Sequence, residues 1–550
     1  MHFYSKVEDL TKRFVAVRSV NGSAGGEKAA ADFLEGELRR MPYFRAHPEQ
    51  IIRQPLEGDP LGRSNIFAYI HGTKYESAQT MLWHGHIDTV GTEDYGRLEP
   101  YATDCDRLLE ELLKGSLPDD VRRDLESGDW LPGRGACDMK SGDAVFLVLL
   151  EYLSEHLHLF GGNILVSFTP VEENQHTGIL QGLHVLQQLQ DEQGFSYRLA
   201  INNDYICPLY AGDPHRYLYA GVVGKLLPCF YVRGLETHVG QCFEGFDAAT
   251  VIAEITRELN GNTDFCDHYR GEYAMPPSVL RMRDLKPAYN VQTPKEAWAY
   301  FNLSVHSESV PSILRQLLAV GDRAMREVAR RTDENRKAFA RMNRMPDAAP
   351  PARHPHVLTY ASLHQAAGKQ IGADALQQRE RQWLEELDAA HAEPREYALE
   401  LVRRLTSCLD TQEPVLVLFF AGPYCPHNTL HEEIPEENAI LETLRELLPT
   451  FSTFAGAPFE LRQFFPSLSD SSYLKIDDDE VSLRALQKNF PGLEHLYPLP
   501  LDAIRALNIP ALDFGCYGKD AHKWSERVYK PYSFEILPHI LLAAVEKFFG

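Results

Sequence analysis

Apolar and polar positions alternate along the chain in two distinct rhythms. Residues 28–41 (KAAADFLEGELRRM) follow a Gly/Ser turn and place apolar side chains at helical spacing, which predicts an amphipathic helix. Short apolar blocks at 65–70, 80–83, 163–168 and 198–202 predict strands, and 140–157 predicts a long helix. This alternation implies a mostly parallel sheet with helices on both faces. From about residue 212 the rhythm changes: 221–234 (GVVGKLLPCFYVRG) and 297–306 (AWAYFNLSVH) read as strands flanking a helix at 247–259. That β-α-β segment predicts a small antiparallel domain. Residues 311–413 are almost all helical in pattern, broken by a proline-rich loop at 347–355, and the strand 414–420 (PVLVLFF) follows. After about residue 425 the first rhythm returns, with a helix at 437–447, a strand at 511–514 and a last helix over 533–549. The expected fold is α/β. A mostly parallel sheet domain (1–212 and 425–550) is interrupted by a smaller α+β domain (213–424), which carries a helical insertion at about 311–413.

Composition mainly excludes. The 55 Lys+Arg stand against 78 Asp+Glu, a net charge of −23, which speaks against general nucleic-acid binding because phosphate contacts need clustered bases. The apolar run 144–150 is far short of the ~18–20 residues that span a bilayer, so no membrane partner is expected. The start, MHFYSKVEDLTKRFVAV, has no apolar signal segment, and the nine cysteines form no CxxC pair. A cytoplasmic location with reduced thiols is the expectation. The eight basic residues within 321–345 read as a solvated helix face.

Candidate chemistry gathers where the expected strands end, the place where open α/β sheets hold ligands. The strand at 80–83 runs into His84-Gly85-His86-Ile87-Asp88-Thr89, and 163–168 into Pro170-Val171-Glu172-Glu173-Asn174. The strand at 198–202 runs into Asn203-Asp204, and 511–514 into Gly518-Lys519-Asp520-Ala521-His522. A Gly-rich loop, GRGACDMK (133–140), opens onto the long helix. Two histidines and three carboxylates suit a pair of divalent ions about 3.5–4 Å apart, with Zn²⁺ favoured by the imidazoles and Mn²⁺ or Co²⁺ as alternatives.

The order and spelling of these segments resemble the cocatalytic zinc aminoacylase/carboxypeptidase family, which includes succinyl-diaminopimelate desuccinylase and glutamate carboxypeptidase. The resemblance rests on HGHIDTV (84–90), GRGACDMKSG (133–142), PVEEN (170–174), NND (202–204), THVG (237–240) and KDAHKWSE (519–526). It implies a zinc-peptidase-like catalytic domain and a lid. His86 and Asp204 would bind one metal, Glu173 and His522 the other, and Asp138 both. Asp88 would orient His86, as such imidazoles need a partner on their second nitrogen. Glu172 would be the general base, taking a proton from water and giving it to the leaving amine. His238 would stabilise the oxyanion from the lid, in its own or a partner subunit, with Asn290 near the substrate.

The chain departs from the family pattern in three places. The gap from Asp204 to His522 is long, the lid strand 297–306 ends without the arginine that often holds a substrate carboxylate, and His84 duplicates a histidine and reads as structural. The length and the extended lid resemble the arginine-utilisation branch of the family. The function implied is hydrolysis of an amide or peptide bond in a small N-acyl amino acid, dipeptide or related substrate, in arginine or amino-acid catabolism, by a protein that could pair through its lid as a homodimer. The competing expectation is a non-catalytic binding or regulatory protein on the same fold, and a weaker one is an exopeptidase acting on longer peptides.

Overall fold

The computed structural model describes residues 2–347 and 353–550, so the centre of the expected 347–355 loop lies outside the described residues. The chain forms two compact units. The first comprises Met1–Val223, Pro426–Ile476 and Pro500–Gly550, and the second Gly224–Cys425 and Asp477–Leu499.

The first unit is built on an eight-stranded sheet. Its strand order is Ile51–Pro55, Ser64–His71, Asn163–Thr169, Gln79–His86, Ser196–Asn202, Ala511–Asp513, Arg216–Tyr219 and Phe459–Arg462. The four pairings of Gln79–His86 with its two neighbours, of Ala511–Asp513 with Ser196–Asn202 and of Phe459–Arg462 with Arg216–Tyr219 are parallel. The other three are antiparallel. A mixed sheet with a parallel centre is thus the observed form. The helix Lys140–Glu155 has no polar face over Ala144 to Leu150 because it is buried all round. Its Phe146 stacks on Trp83 at 5.1 Å, joining helix to sheet.

Registers set the site. His86 lies opposite Thr169, His84 opposite Asn202, and Asn202 opposite Asp513. The segments that follow these residues therefore leave the sheet at one edge. The strand Arg216–Tyr219 belongs to this unit, although the expected boundary at 212 assigns it to the interrupting domain.

The second unit has a sheet ordered Ser278–Asp284, Glu296–Val305, Pro228–Arg233, Val415–Phe420 and His356–Thr359. Its pairings are antiparallel except the last, which is parallel. The helix Ala248–Leu259 starts at Asp247, whose carboxylate accepts the Ala249 and Thr250 amides at 2.8 and 3.2 Å. The stretch expected as a helical insertion holds the helices Val310–Met342, Tyr360–Ile371, Ala373–Ala389 and Pro394–Thr406, but also the strand His356–Thr359. That strand completes the sheet, and Gly321 lets the long helix sit on Leu416, where a Cβ would meet the leucine at 3.0 Å. The stretch is thus partly sheet core. Asp477–Leu499 also differs from the expected division at 425. It joins this unit because Phe420 N donates to the Asn489 carbonyl at 2.8 Å and Tyr424 Oη to Asp478 at 2.9 Å.

Candidate metal centre

At the carboxyl edge of the first unit's sheet, side chains from four segments converge. His86 ends its strand and is buried. Asp138 comes from the Gly-rich loop before Lys140–Glu155, and its peptide to Met139 is cis. Glu172 and Glu173 follow the strand Asn163–Thr169, and His522 comes from the loop after Gly518–Lys519. Ligand atoms of His86, Asp138 and Glu173 all lie within 4.8 Å of one another. His86 Nε2 is 3.0 Å from Asp138 Oδ1, while His522 Nε2 is 2.9 Å from Asp138 Oδ2 and 3.0 Å from Glu173 Oε1. The two oxygens of Asp138 therefore face different imidazoles. Glu172 Oε2 lies 4.0 Å from His86 Nε2. Asp204 is buried, and the charges of Asp138 and His86 act on its carboxylate.

This donor set fits a pair of divalent cations. Imidazole nitrogens and carboxylate oxygens are ligands of Zn²⁺ and its neighbours, and a carboxylate facing an imidazole on each side matches two ions about 3.5–4 Å apart. Five acidic groups, Asp88, Asp138, Glu172, Glu173 and Asp204, also share a largely buried volume with two imidazoles, and such a surplus of negative charge calls for cations.

Burial raises Glu172 well above the usual carboxylate range, against the pull of His86 and His176. Burial likewise pushes Asp204 up to about 8, with the Asp138 charge adding to it, and raises Glu173. At Asp138 burial acts in the same sense, but the bonded His522 and His86 rings outweigh it and hold the carboxyl low. Burial favours the neutral form of both rings. The charge of Glu172 and the bond to Asp138 overcome it at His86, and the bonds to Asp138 and Glu173 overcome it at His522, so both are raised.

The backbone around the glutamate pair is held in an unusual form. Val171 has φ +73°, a conformation costing a β-branched residue about 1–3 kcal/mol. It turns the next two amides toward Asp88, whose carboxylate accepts Glu172 N and Glu173 N at 3.1 Å each and Asn21 Nδ2 at 2.8 Å. Successive amides arranged in this way form an anion-binding concavity. The family resemblance implies that the Asp88 carboxylate orients His86. The structure does this through the Asp88 carbonyl, which accepts His86 Nδ1 at 3.1 Å, while Oδ1 stands 3.7 Å away. The Nδ1 proton then leaves Nε2 free to face Asp138.

His84 stands apart from the donor cluster. Its Nε2 is 2.8 Å from Ser471 Oγ, and burial pushes it down to about 4, against the charge of Asp470. His238 and Asn290 belong to the second unit and are exposed. Gly240 N donates to His238 Nδ1 at 3.1 Å and Gln292 N to Asn290 Oδ1 at 3.1 Å, and a backbone bridge between His238 and Gln292 brings their turns together.

Sequence reading missed one neighbour of Glu172. His176 Nδ1 lies 2.9 Å from Asp470 Oδ1, whose other oxygen accepts Thr169 Oγ1 at 2.5 Å, and both members of the pair act electrostatically on Glu172. Asp470 lies 294 residues beyond His176, and no local spelling joins them.

Comparison with known proteins agrees with this geometry. Residues 82–393 match the model of peptidase family M20/M25/M40. The chain is 37% identical to Protein RocB of Bacillus subtilis over 98% of its own length and 94% of that protein's. It is 24% identical to a succinyl-diaminopimelate desuccinylase of Sulfurimonas denitrificans over 54% of this chain and 68% of the relative. Among solved structures, an M20 family metallo-carboxypeptidase from Sulfolobus solfataricus covers 98% of both chains with a TM-score of 0.52 at 9% identity. The di-peptidase Dug1p from Saccharomyces cerevisiae shares the fold with a TM-score of 0.52 at 11% identity, covering 99% of this chain and 98% of its own. The chain belongs to peptidase family M20/M25/M40 and is a metal-dependent hydrolase acting on amide bonds.

Proposed function

We propose that the protein hydrolyses the amide bond of a small N-acyl amino acid, dipeptide or related substrate, with two divalent ions, Zn²⁺ being the first candidate. The observation that carries this reading is the placement of Asp138 between His86 and His522, with Glu173 on one side and Glu172 4.0 Å from His86. His86 and Asp204 would hold one ion, Glu173 and His522 the other, and Asp138 both. When bound, the ions supply Lewis-acid polarisation of the scissile carbonyl and acidify water.

The protein's own residues then move the proton. Glu172 accepts it from the attacking water and delivers it to the nitrogen of the leaving amine as the C–N bond breaks. Its burial suits a group that must keep a proton between those two events. Asp88 keeps Glu172 and Glu173 diverging from adjacent backbone positions, so that one moves the proton and the other binds metal. His238, in its own or a partner subunit, would donate to the developing oxyanion, and Asn290 would contact the substrate.

The similarity to Protein RocB supports a role in arginine or related amino-acid catabolism. The surplus of 23 acidic groups suits a cationic substrate. Among the described residues no helix is long and apolar enough to cross a membrane, in keeping with a cytoplasmic setting. A homodimer through the second unit is supported by its edge strand Ser278–Asp284, which exposes Leu280 and Met282.

A metal-supplemented screen of acylated amino acids and dipeptides, basic ones included, tests the substrate class. Metal analysis of the same preparation is expected to return about two ions per chain. Fewer than about one tightly held ion would speak for the binding-protein alternative.

A further inference from the structure

Asp88 is not the only buried carboxylate that holds two consecutive amides at this centre. Cys137 N and Asp138 N both donate to Glu526 Oε1, at 3.0 and 3.3 Å. Glu526 follows His522 by four residues and is 1% exposed. Its other oxygen accepts Arg134 Nη1 at 2.8 Å, and its carbonyl accepts Gly133 N at 3.2 Å. Arg134, itself 1% exposed, is fixed in turn by Asp94 Oδ1 at 2.7 Å and the Gly91 carbonyl at 2.9 Å.

The two clamps share a plan. Asp88, on the His86 segment, holds the backbone of Glu172 and Glu173. Glu526, on the His522 segment, holds the backbone of Asp138. Each histidine segment thus carries the carboxylate that positions an opposite, carboxylate-bearing loop.

His522 depends on such bracing more than His86 does. Its side chain is 48% exposed, so packing does little to place it. Its backbone and that of Asp520 have φ +65° and +58°, values that non-glycine residues hold only when their surroundings impose them. Asp520 is tied to Arg527 at 2.6 Å and Arg527 to Asp124 at 2.7 Å, which anchors one side of the loop to the helix Asp119–Glu126. Glu526 anchors the other side to the loop of Asp138.

We propose that Glu526, oriented by Arg134, is a positioning residue of the metal centre. It sets the spacing between Asp138 and His522, and with it the affinity for the ion that His522 and Glu173 would hold. This rests on the two-ion reading above.

The test is calorimetric titration of the metal-free protein with Zn²⁺, comparing wild type with Glu526→Gln. Glu526→Asp serves as the second variant, because it keeps the charge beside Arg134 while shortening the reach by one methylene. Near-ultraviolet circular dichroism identifies the variants that fold. In a folded variant one ion should bind within about 3-fold of wild type and the other 10–100-fold more weakly, the usual cost of losing an outer partner of a metal ligand. Turnover lost at limiting Zn²⁺ should return when excess Zn²⁺ refills the weakened position.

A merely structural Glu526 would lower thermal stability and leave both affinities as in wild type, and that result overturns the proposal. Wild type that takes up two ions alongside a variant that takes them up equally well defeats this inference alone. Wild type that takes up none defeats the two-ion reading as well.

Discussion

Replacing Asp88 by Asn probes the backbone around the glutamate pair without changing side-chain size. The Asp88 carboxylate is fully buried and accepts three N–H groups, from Glu172, Glu173 and Asn21. A carboxamide keeps one accepting oxygen and turns an NH₂ toward donors that have nowhere else to bond. One or two charge-assisted bonds at ~1.5–3 kcal/mol each are lost, so the first unit should lose about 1.5–6 kcal/mol. The strain at Val171 is then released, because the amides that follow it are no longer held. Asn21→Ala removes one of the three donors to the Asp88 carboxylate, together with longer contacts to Glu27 and Asn174, and should cost about 1.5–3 kcal/mol. Urea unfolding followed by tryptophan fluorescence measures both. The transition of the first unit is the one that core variants around Trp83 displace. An Asp88→Asn protein within about 0.5 kcal/mol of wild type, the range of an ordinary surface substitution, would refute the assignment of Asp88 as the anchor of the pair.

Glu172→Gln should retain both ions by elemental analysis and lose turnover by about 10²–10⁴-fold on a confirmed substrate, while full activity in that variant removes Glu172 as base. Phe146→Ala empties the space stacked against Trp83 and should cost about 3–5 kcal/mol in the same urea transition, a loss below about 1 kcal/mol being inconsistent with the packing described. Glu27 is pushed up to about 7 by burial and the Asp88 charge, against the opposing charge of Arg63. Its folded form favours the proton, so its stabilising contribution is complete below the ordinary value of 4.5 and fades as the pH rises through about 7. The stability of wild type relative to Glu27→Gln should therefore fall between pH 5 and pH 8. A difference that is constant across that range contradicts the buried, proton-holding Glu27.

The carboxyl edge of the sheet is readable from sequence because apolar blocks lead into His86, Glu172 and Asp204: His86 is the last residue of its strand, and Glu172 and Asp204 follow shortly after strands that end at Thr169 and Asn202. What sequence does not show is chiefly tertiary. Arg216–Tyr219 and Phe459–Arg462 are four-residue strands with no periodic signal, and they exist by pairing with each other across the chain. His356–Thr359 becomes a strand only beside Val415–Phe420. The spelling HID places Asp88 two residues after His86, which suggests an imidazole partner. The amides its carboxylate holds come from 84 residues further on, where Val171 adopts a conformation that no propensity scale assigns to valine. Glu526 hides similarly inside KDAHKWSE, since its function depends on backbone donors at residues 137 and 138.

His86, Asp138, Glu172, Glu173, Asp204 and His522 are proposed to carry metal-dependent hydrolysis of an amide bond. Its most direct test is the release of free amino acid from acylated amino acids and dipeptides by protein loaded with Zn²⁺, treated with a chelator, and then reloaded. Release should disappear on chelation and return on reloading, with Asp138→Asn inactive throughout. Release that persists undiminished after the ions are removed, or in Asp138→Asn, would contradict that assignment.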